Sequence, residues 1–240
     1  ISAGGSELQF VYGPYGRGKS HFLRTIEEVA SGQDLVTAYV DCRAGESPFR
    51  DMRETYAFIA GAMSCTASDE ELLVTGVARV IEERLLGHKQ GEAKDLLERL
   101  RSDSHLAPDF RNLVCAYGAA VLRGDSNRSP ATELAALLRA DSIYGVTVGS
   151  LYRVYPALPR PLGKLNRRNA GIWLRSLLSL PQALGYRGAM ILFDETEKSH
   201  SFHKKGSRQQ QQHLANLRNF VDYMAIGAFR GCSVYYAVVE

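Results

Sequence analysis

The chain has 240 residues, 45% of them hydrophobic and 23% charged, which allows a full core in one domain with an insertion or in two small domains. Its formal net charge of +3 is too small to indicate nucleic-acid binding by itself. The four cysteines show no C-x-x-C spacing, so the sequence indicates neither a zinc site nor a disulfide framework. No stretch resembles a signal peptide or a membrane span, and we therefore expect a cytoplasmic protein.

A glycine-rich motif lies near the start of the chain. Residues 13–20 read GPYGRGKS and fit G-x-x-x-x-G-K-[ST], the phosphate-binding loop of nucleotide triphosphatases. Such a turn leaves backbone N–H groups available to phosphate oxygens, and the helix that follows adds its positive end. Lys19 is predicted to reach the β- and γ-phosphates of ATP and to act in catalysis, and the Ser20 hydroxyl to hold Mg²⁺. The predicted nucleotide-binding residues are Gly13, Pro14, Tyr15, Gly16, Arg17, Gly18, Lys19, Ser20 and His21. The alternative is a glycine-rich turn that precedes a helix and binds no phosphate.

The segments around this motif predict a βαβ unit. Residues 8–12 are short, aromatic and β-branched, as a strand requires, and apolar residues recur at helical spacing over 22–30. Gly32 fits a C-terminal cap of that helix. Residues 35–40 then read as a strand buried on both faces, which ends at Asp41. This strand–loop–helix–strand order is the context that a phosphate-binding loop needs.

The middle of the chain is predicted to be helical. A capped helix with proline at its first position is expected from Ser47-Pro48. Further helices are expected over residues 73–85, 96–100, 110–121 and 134–138. Residues 144–164 read as an irregular connector, and a helix over 168–180 is expected to stop at Pro181. Because ~110 residues far exceed an ordinary crossover, we expect an inserted helical subdomain between the second and third strands.

A second chemical signature follows the next predicted strand, residues 189–193. Four apolar residues and then Asp194-Glu195 look like the Walker B signature of P-loop ATPases. Asp194 is predicted to support Mg²⁺ through water, and Glu195 to orient and deprotonate the attacking water as the catalytic base. The alternative is an acidic pair that caps the next helix.

These elements predict an α/β fold, a P-loop NTPase core with a parallel sheet and a large helical insertion. The first part of the core is expected over residues 1–65, the insertion over 66–165 and the second part of the core over 166–240. Because the chain begins with Ile1 and its last predicted strand has nothing after it, we expect a fragment of a longer protein with a truncated core.

Several basic residues are weaker candidates for a role. An arginine from a neighbouring subunit often completes such sites, and the candidates here are Arg43, Arg167, Arg168 and Arg218, although each fits a solvated surface group better. Lys204, Lys205 and Arg208 lie in a polar loop after the Walker B strand and could contact a DNA backbone or a partner subunit. The alternative for this loop is a solvated segment with no ligand.

The combined motifs resemble one family. The resemblance is to the ATP-binding domain of BREX-type bacterial phage-defence systems, a domain that is similar to AAA+ and signal-transducing ATPases. It is carried by residues 13–23 (GPYGRGKSHFL), 39–43 with 47–49 (YVDCR and SPF), and 185–197 (GYRGAMILFDETE). The resemblance implies a cytoplasmic ATPase in a multi-subunit defence complex, with other subunits as partners and DNA as the ultimate target. The helical middle carries no family motif.

Three functions follow from these patterns. The first is an ATP hydrolase with ATP and Mg²⁺ as cofactors, because the candidate base is present and the N-K-x-D motif that reads guanine is absent. The second is an ATP-gated switch or scaffold that hydrolyses slowly or not at all and recruits partner proteins. A homo-oligomer is compatible with either function. The third is a direct DNA-binding module, against which the small net charge argues.

Overall fold

Within residues 5–42, 48–66, 73–125, 130–141, 145–194 and 207–238, a computed structural model of the protein contains one six-stranded sheet and nine helices. The strands are β1 (Ser6–Tyr12), β2 (Leu35–Asp41), β3 (Met63–Thr66), β4 (Leu73–Thr75), β5 (Gly188–Asp194) and β6 (Cys232–Val238). The helices are α1 (Lys19–Ser31), α2 (Met52–Ala62), α3 (Val77–Leu86), α4 (Gln90–Ser102), α5 (Pro108–Leu122), α6 (Ala131–Leu138), α7 (Val148–Val154), α8 (Ala170–Ala183) and α9 (Arg208–Ala225).

The sheet has the strand order β1-β6-β5-β2-β3-β4. Its first four strands are parallel, whereas β3 is antiparallel to β2 and β4 is antiparallel to β3. The four parallel strands therefore present their carboxyl ends at one edge, where ligands of open α/β sheets bind. β1 is followed there by the glycine-rich loop, and β2 and β5 end there at Asp41 and Asp194. The predicted α/β P-loop NTPase core is confirmed.

The two faces of the sheet are covered unequally. On one face α1 packs against β2 and β5 over a small core. Its buried residues are Leu23, Ala30, Leu35, Met190, Leu192 and Ala237. The other face and the helices from α2 to α9 share one large core, with Phe193 on the sheet and Trp173 in α8 among its fully buried members. Because side chains alternate along a strand, Asp194 lies on the same face as Leu192, the face covered by α1.

The stretch between the second and third parallel strands is not purely helical. The prediction of a helix over residues 73–85 is wrong at its start, because residues 73–75 form β4 and the helix α3 begins at Val77. β3 and β4 pair with each other and extend the sheet beyond β2. Strands of three or four residues carry too little pattern to be recognised locally, and their pairing stabilises them.

Two further boundaries differ from the sequence-based expectation. The helix expected from Ser47-Pro48 begins at Met52, where the Asp51 carboxylate accepts the Arg53 N–H at 2.9 Å as a cap; Ser47 lies outside the described residues. α8 does not stop at Pro181 but continues to Ala183. A proline in a last turn removes only one hydrogen bond, and the Leu184 N–H still donates to the Leu180 carbonyl at 2.8 Å.

The connector predicted over residues 144–164 contains one short helix, α7. The Thr147 hydroxyl caps it by accepting the Ser150 N–H at 3.1 Å. In the described part of the chain, none of the helices combines the length and apolarity that a membrane crossing needs.

Candidate nucleotide-binding site

The glycine-rich loop has the backbone conformation that its two inner glycines permit. Gly16 has φ 74° and Gly18 has φ 85°, both in the left-handed region. A Cβ atom at either position would meet no atom within 4 Å, so the requirement for glycine is conformational and not steric. Gly18 is the N-cap of α1 and provides no side-chain cap, which leaves the first-turn N–H groups of the helix to an external acceptor.

Lys19 lies across its own loop. Its Nζ donates to the carbonyl oxygens of Gly13 at 2.9 Å and of Pro14 at 3.1 Å. The Gly13 N–H donates in turn to the Val238 carbonyl at 3.3 Å, which joins the loop to the end of β6. The ammonium group is thus held against the loop backbone, where it is a single compact charge suited to phosphate oxygens.

The rest of the loop is open to solvent. Tyr15 is 75% exposed, and Ser20 and His21 in the first turn of α1 are also exposed. That turn contains no acidic side chain, so its partial positive charge is not compensated locally. An anion can therefore approach the helix terminus directly.

Asp194 occupies the end of β5, with only 4% of its surface exposed. It pairs in register with Asp41 of β2, and the Cys42 N–H donates to its backbone carbonyl at 3.0 Å. β6 separates β5 from β1, so the glycine-rich loop and Asp194 follow strands that are two positions apart. Glu195, the predicted catalytic base, lies outside the described residues.

An aromatic cluster fixes the end of β5 from the opposite face. Phe193 contacts Phe49 and Tyr236, with ring centroids 5.2 Å and 5.8 Å apart. Asn216 in α9 donates to the Phe49 carbonyl at 2.8 Å and so ties the segment after β2 to that helix. Packing on this face restricts the backbone on which Asp194 stands.

Two residues of the site were not predicted from the sequence. The Tyr39 hydroxyl of β2 donates a hydrogen bond to Asp194 Oδ2. The Arg24 guanidinium of α1 lies 3.3 Å from the Tyr39 ring centroid. Burial and the hydrogen bond to Asp194 raise the pKa of the Tyr39 phenol well above its usual range, so it remains a donor at neutral pH. The available signal was a tyrosine within a strand expected to be buried, since a buried hydroxyl needs a partner.

The weaker arginine candidates that the structure describes lie at the protein surface. Arg167 is 81% exposed and lies 3.6 Å from Asp51, and Arg218 is 83% exposed and lies 3.9 Å from Asp222. Arg208 is an exposed residue at the start of α9. Arg43, Lys204 and Lys205 lie outside the described residues, and Arg168 is exposed.

The oxygen donors at this edge fit a magnesium ion. Mg²⁺ is usually held by one or two protein oxygens together with water and substrate phosphates, and not by a full protein cage. The Ser20 hydroxyl and the Asp194 carboxylate are donors of this type. The described residues contain no group of three or more His, Cys, Asp or Glu side chains arranged to hold a metal.

A phosphate-binding loop between β1 and α1, with an aspartate at the end of a nearby parallel strand, defines a P-loop NTPase core. Within that class, the family model described as BREX system ATP-binding protein BrxC/D matches residues 1–238. The chain therefore belongs to this family, which confirms the resemblance found in the sequence. Membership indicates an ATP-binding protein of the BREX defence system. Neither the curated proteins nor the solved structures provide a match.

Proposed function

We propose that the protein binds Mg-ATP at residues 13–21 and hydrolyses it within a cytoplasmic multi-subunit defence complex that acts on DNA. The observation that carries this proposal is the placement of the glycine-rich loop and Asp194 at the same carboxyl edge of the sheet, two strands apart. The family name supports ATP binding and the defence system. Hydrolysis is proposed because Glu195 directly follows Asp194.

The roles of the loop residues follow from their geometry. The N–H groups around Gly16 and Gly18 and at the start of α1 bind the phosphate oxygens. Lys19 exchanges its loop carbonyl partners for the β- and γ-phosphates. Mg²⁺, when bound, neutralises negative charge on the phosphates, with the Ser20 hydroxyl as a ligand.

The acidic pair completes the proposed chemistry. Asp194 would support the metal through water, and its burial limits the orientations of its carboxylate. Glu195 takes the proton of the attacking water, a contribution that is typically worth ~10²–10⁴-fold in rate.

The Glu195→Gln variant tests the proposal. It keeps the shape of the side chain and removes the base, so ATP binding should persist while turnover falls by ~10²–10⁴-fold. Glu197→Gln, two residues further along, is the matched control and should retain turnover. Undiminished hydrolysis in Glu195→Gln would refute the assigned role.

A second candidate function is an ATP-gated scaffold, with slow hydrolysis in the isolated chain and partner recognition by the insertion proposed over residues 66–165. It is favoured by the pairing of Arg167 and Arg218 with Asp51 and Asp222 of their own chain, since these contacts compete with a role at the site of a neighbouring copy. ATP turnover measured over a range of protein concentrations distinguishes the hydrolase from the scaffold. A rate per chain that rises with concentration supports a site shared between copies, and a constant high rate excludes the scaffold.

Direct DNA contact is proposed for Lys204, Lys205 and Arg208. Phosphate contacts release counterions, so affinity for duplex DNA should fall as salt rises, with a logarithmic slope of ~0.9 for each phosphate that the protein neutralises. The triple alanine variant should reduce that slope. An affinity for duplex DNA that does not depend on salt would exclude phosphate binding by these residues.

A further inference from the structure

Tyr39 connects β2 to the aspartate of the proposed metal site. In the sheet register Tyr39 pairs with Leu192, and Asp41 pairs with Asp194, so Tyr39 and Asp194 are diagonal neighbours on the same face. An aromatic side chain can span that diagonal, and the Tyr39 hydroxyl donates to Asp194 Oδ2. Tyr39 is partly buried, whereas Asp194 is almost fully buried. The hydrogen bond is thus made where water competes little for the carboxylate.

The Tyr39 ring is in turn held by the helix that begins at the phosphate loop. Arg24 lies one turn after Ser20 in α1, and its guanidinium stacks on the Tyr39 ring at 3.3 Å from the centroid. Glu27 holds the same guanidinium through an ion pair of 2.8 Å. A chain of contacts therefore connects α1, through Arg24 and Tyr39, to Asp194.

We propose that Tyr39 is a positioning residue, which orients the Asp194 carboxylate toward the metal ion that accompanies ATP, and that Arg24 keeps the Tyr39 ring in place. The inference rests on the proposed Mg-ATP site. Its physical basis is that a hydrogen bond to one carboxylate oxygen restricts rotation of the group and fixes the direction of the other oxygen. A neutral donor does this without removing the negative charge that attracts the metal.

The competing explanation is that Tyr39 only fills space beside α1. Tyr235 on β6 provides a matched comparison, because Leu192 pairs in register with both Tyr39 and Tyr235. Both tyrosines are partly buried and lie on the same face, on either side of β5. Loss of a hydroxyl at Tyr235 should affect packing in a similar way but should leave the Asp194 hydrogen bond intact.

The experiment compares Tyr39→Phe, Tyr235→Phe and Asp194→Asn. Affinity for a fluorescent, non-hydrolysable ATP analogue is measured in excess EDTA and then as a function of added Mg²⁺. Tyr39→Phe should bind the analogue normally in EDTA and should need ~10–100-fold more Mg²⁺ to reach the metal-stimulated affinity. Tyr235→Phe should match the wild type in both conditions. Combining Tyr39→Phe with Asp194→Asn should add no further loss, because the hydrogen bond acts through the carboxylate.

Arg24→Gln provides a second variant at an exposed position and should raise the Mg²⁺ requirement by only a few-fold, since an exposed cation–π contact is weak. A wild-type Mg²⁺ requirement in Tyr39→Phe, with a raised requirement in Asp194→Asn, overturns the positioning role and leaves the proposed Mg-ATP site standing. If Asp194→Asn also behaves as the wild type, both are overturned. Thermal unfolding of each variant in EDTA identifies any loss that arises from misfolding.

Discussion

The glycine at the N-cap of α1 provides the sharpest test of the loop geometry. Gly18 has φ 85° and ψ 12°, and an added Cβ would meet no atom within 4 Å. Gly91 near the start of α4 is equally open but does not have a positive φ. The substitutions Gly18→Ala and Gly91→Ala therefore add the same methyl group to open space, and they differ in the backbone conformation that must accept it.

The expected magnitudes have opposite signs. A compatible Gly→Ala change stabilises a protein by about 0.4–1 kcal/mol through the unfolded chain, so Gly91→Ala should raise the free energy of unfolding by this amount. At Gly18 the left-handed conformation costs an L-residue about 1–2 kcal/mol. This cost exceeds the same unfolded-state gain, so Gly18→Ala should lower the free energy of unfolding. The free energies of unfolding of the two variants should differ by about 1–2 kcal/mol, which is the cost of the left-handed conformation alone.

Urea denaturation and nucleotide titration measure the two consequences. If the Gly18→Ala loop relaxes to another conformation, nucleotide binding must restore the strained one, and affinity should fall by up to ~5–30-fold. Gly91→Ala should bind as the wild type does. Equal stability changes in the two variants, together with unchanged affinity in Gly18→Ala, would refute the left-handed conformation at the N-cap.

Two further predictions concern the core. Burial raises the pKa of Cys232 from 9.0 to about 12, so the unfolded chain loses the thiol proton first and the free energy of unfolding should decrease as pH rises from about 9 toward about 12. In denaturation measurements between about pH 8 and about pH 10, Cys232→Ala should show a smaller decrease than the wild type. An identical dependence of the unfolding free energy on pH in the two proteins would contradict the buried thiol. A Cβ on Gly163 would overlap the Trp173 side chain, so Gly163→Ala should lower the free energy of unfolding by about 1–3 kcal/mol and change the fluorescence of this single tryptophan. Gly171→Ala, which adds its methyl group to open space without a positive φ, should instead raise the free energy of unfolding by about 0.4–1 kcal/mol and leave the fluorescence unchanged.

Local chemistry made the phosphate loop predictable. The positions of Gly16 and Gly18 follow from the conformations that only glycine adopts without strain, and the flanking strand and helix were visible in the apolar pattern. Asp194 was also placed at the end of a buried strand, because a continuous apolar run followed by an acidic pair marks the edge of a parallel sheet. These features depend on neighbours in the sequence.

Features that depend on distant pairing were not predictable. β3 and β4 are short, and their antiparallel pairing, in which Cys65 lies opposite Val74, stabilises them. No local sequence pattern reveals this pairing. The Tyr39–Asp194 hydrogen bond joins residues 155 positions apart and requires that β2 and β5 be neighbours in register. Strand order is a property of the whole fold, and a sequence of strands and helices does not specify which strands are adjacent.

Lys19 is the residue at which binding of the Mg-ATP phosphates by the loop between β1 and α1 can be measured with a single substitution. Calorimetric titration of Mg-ATP into the wild type and into Lys19→Met compares a side chain of similar length with and without its charge. We expect saturable binding with one nucleotide per chain in the wild type and at least tenfold weaker binding in Lys19→Met, a loss of about 1.4 kcal/mol or more. Equal affinity of the two proteins for Mg-ATP would contradict this role of the loop.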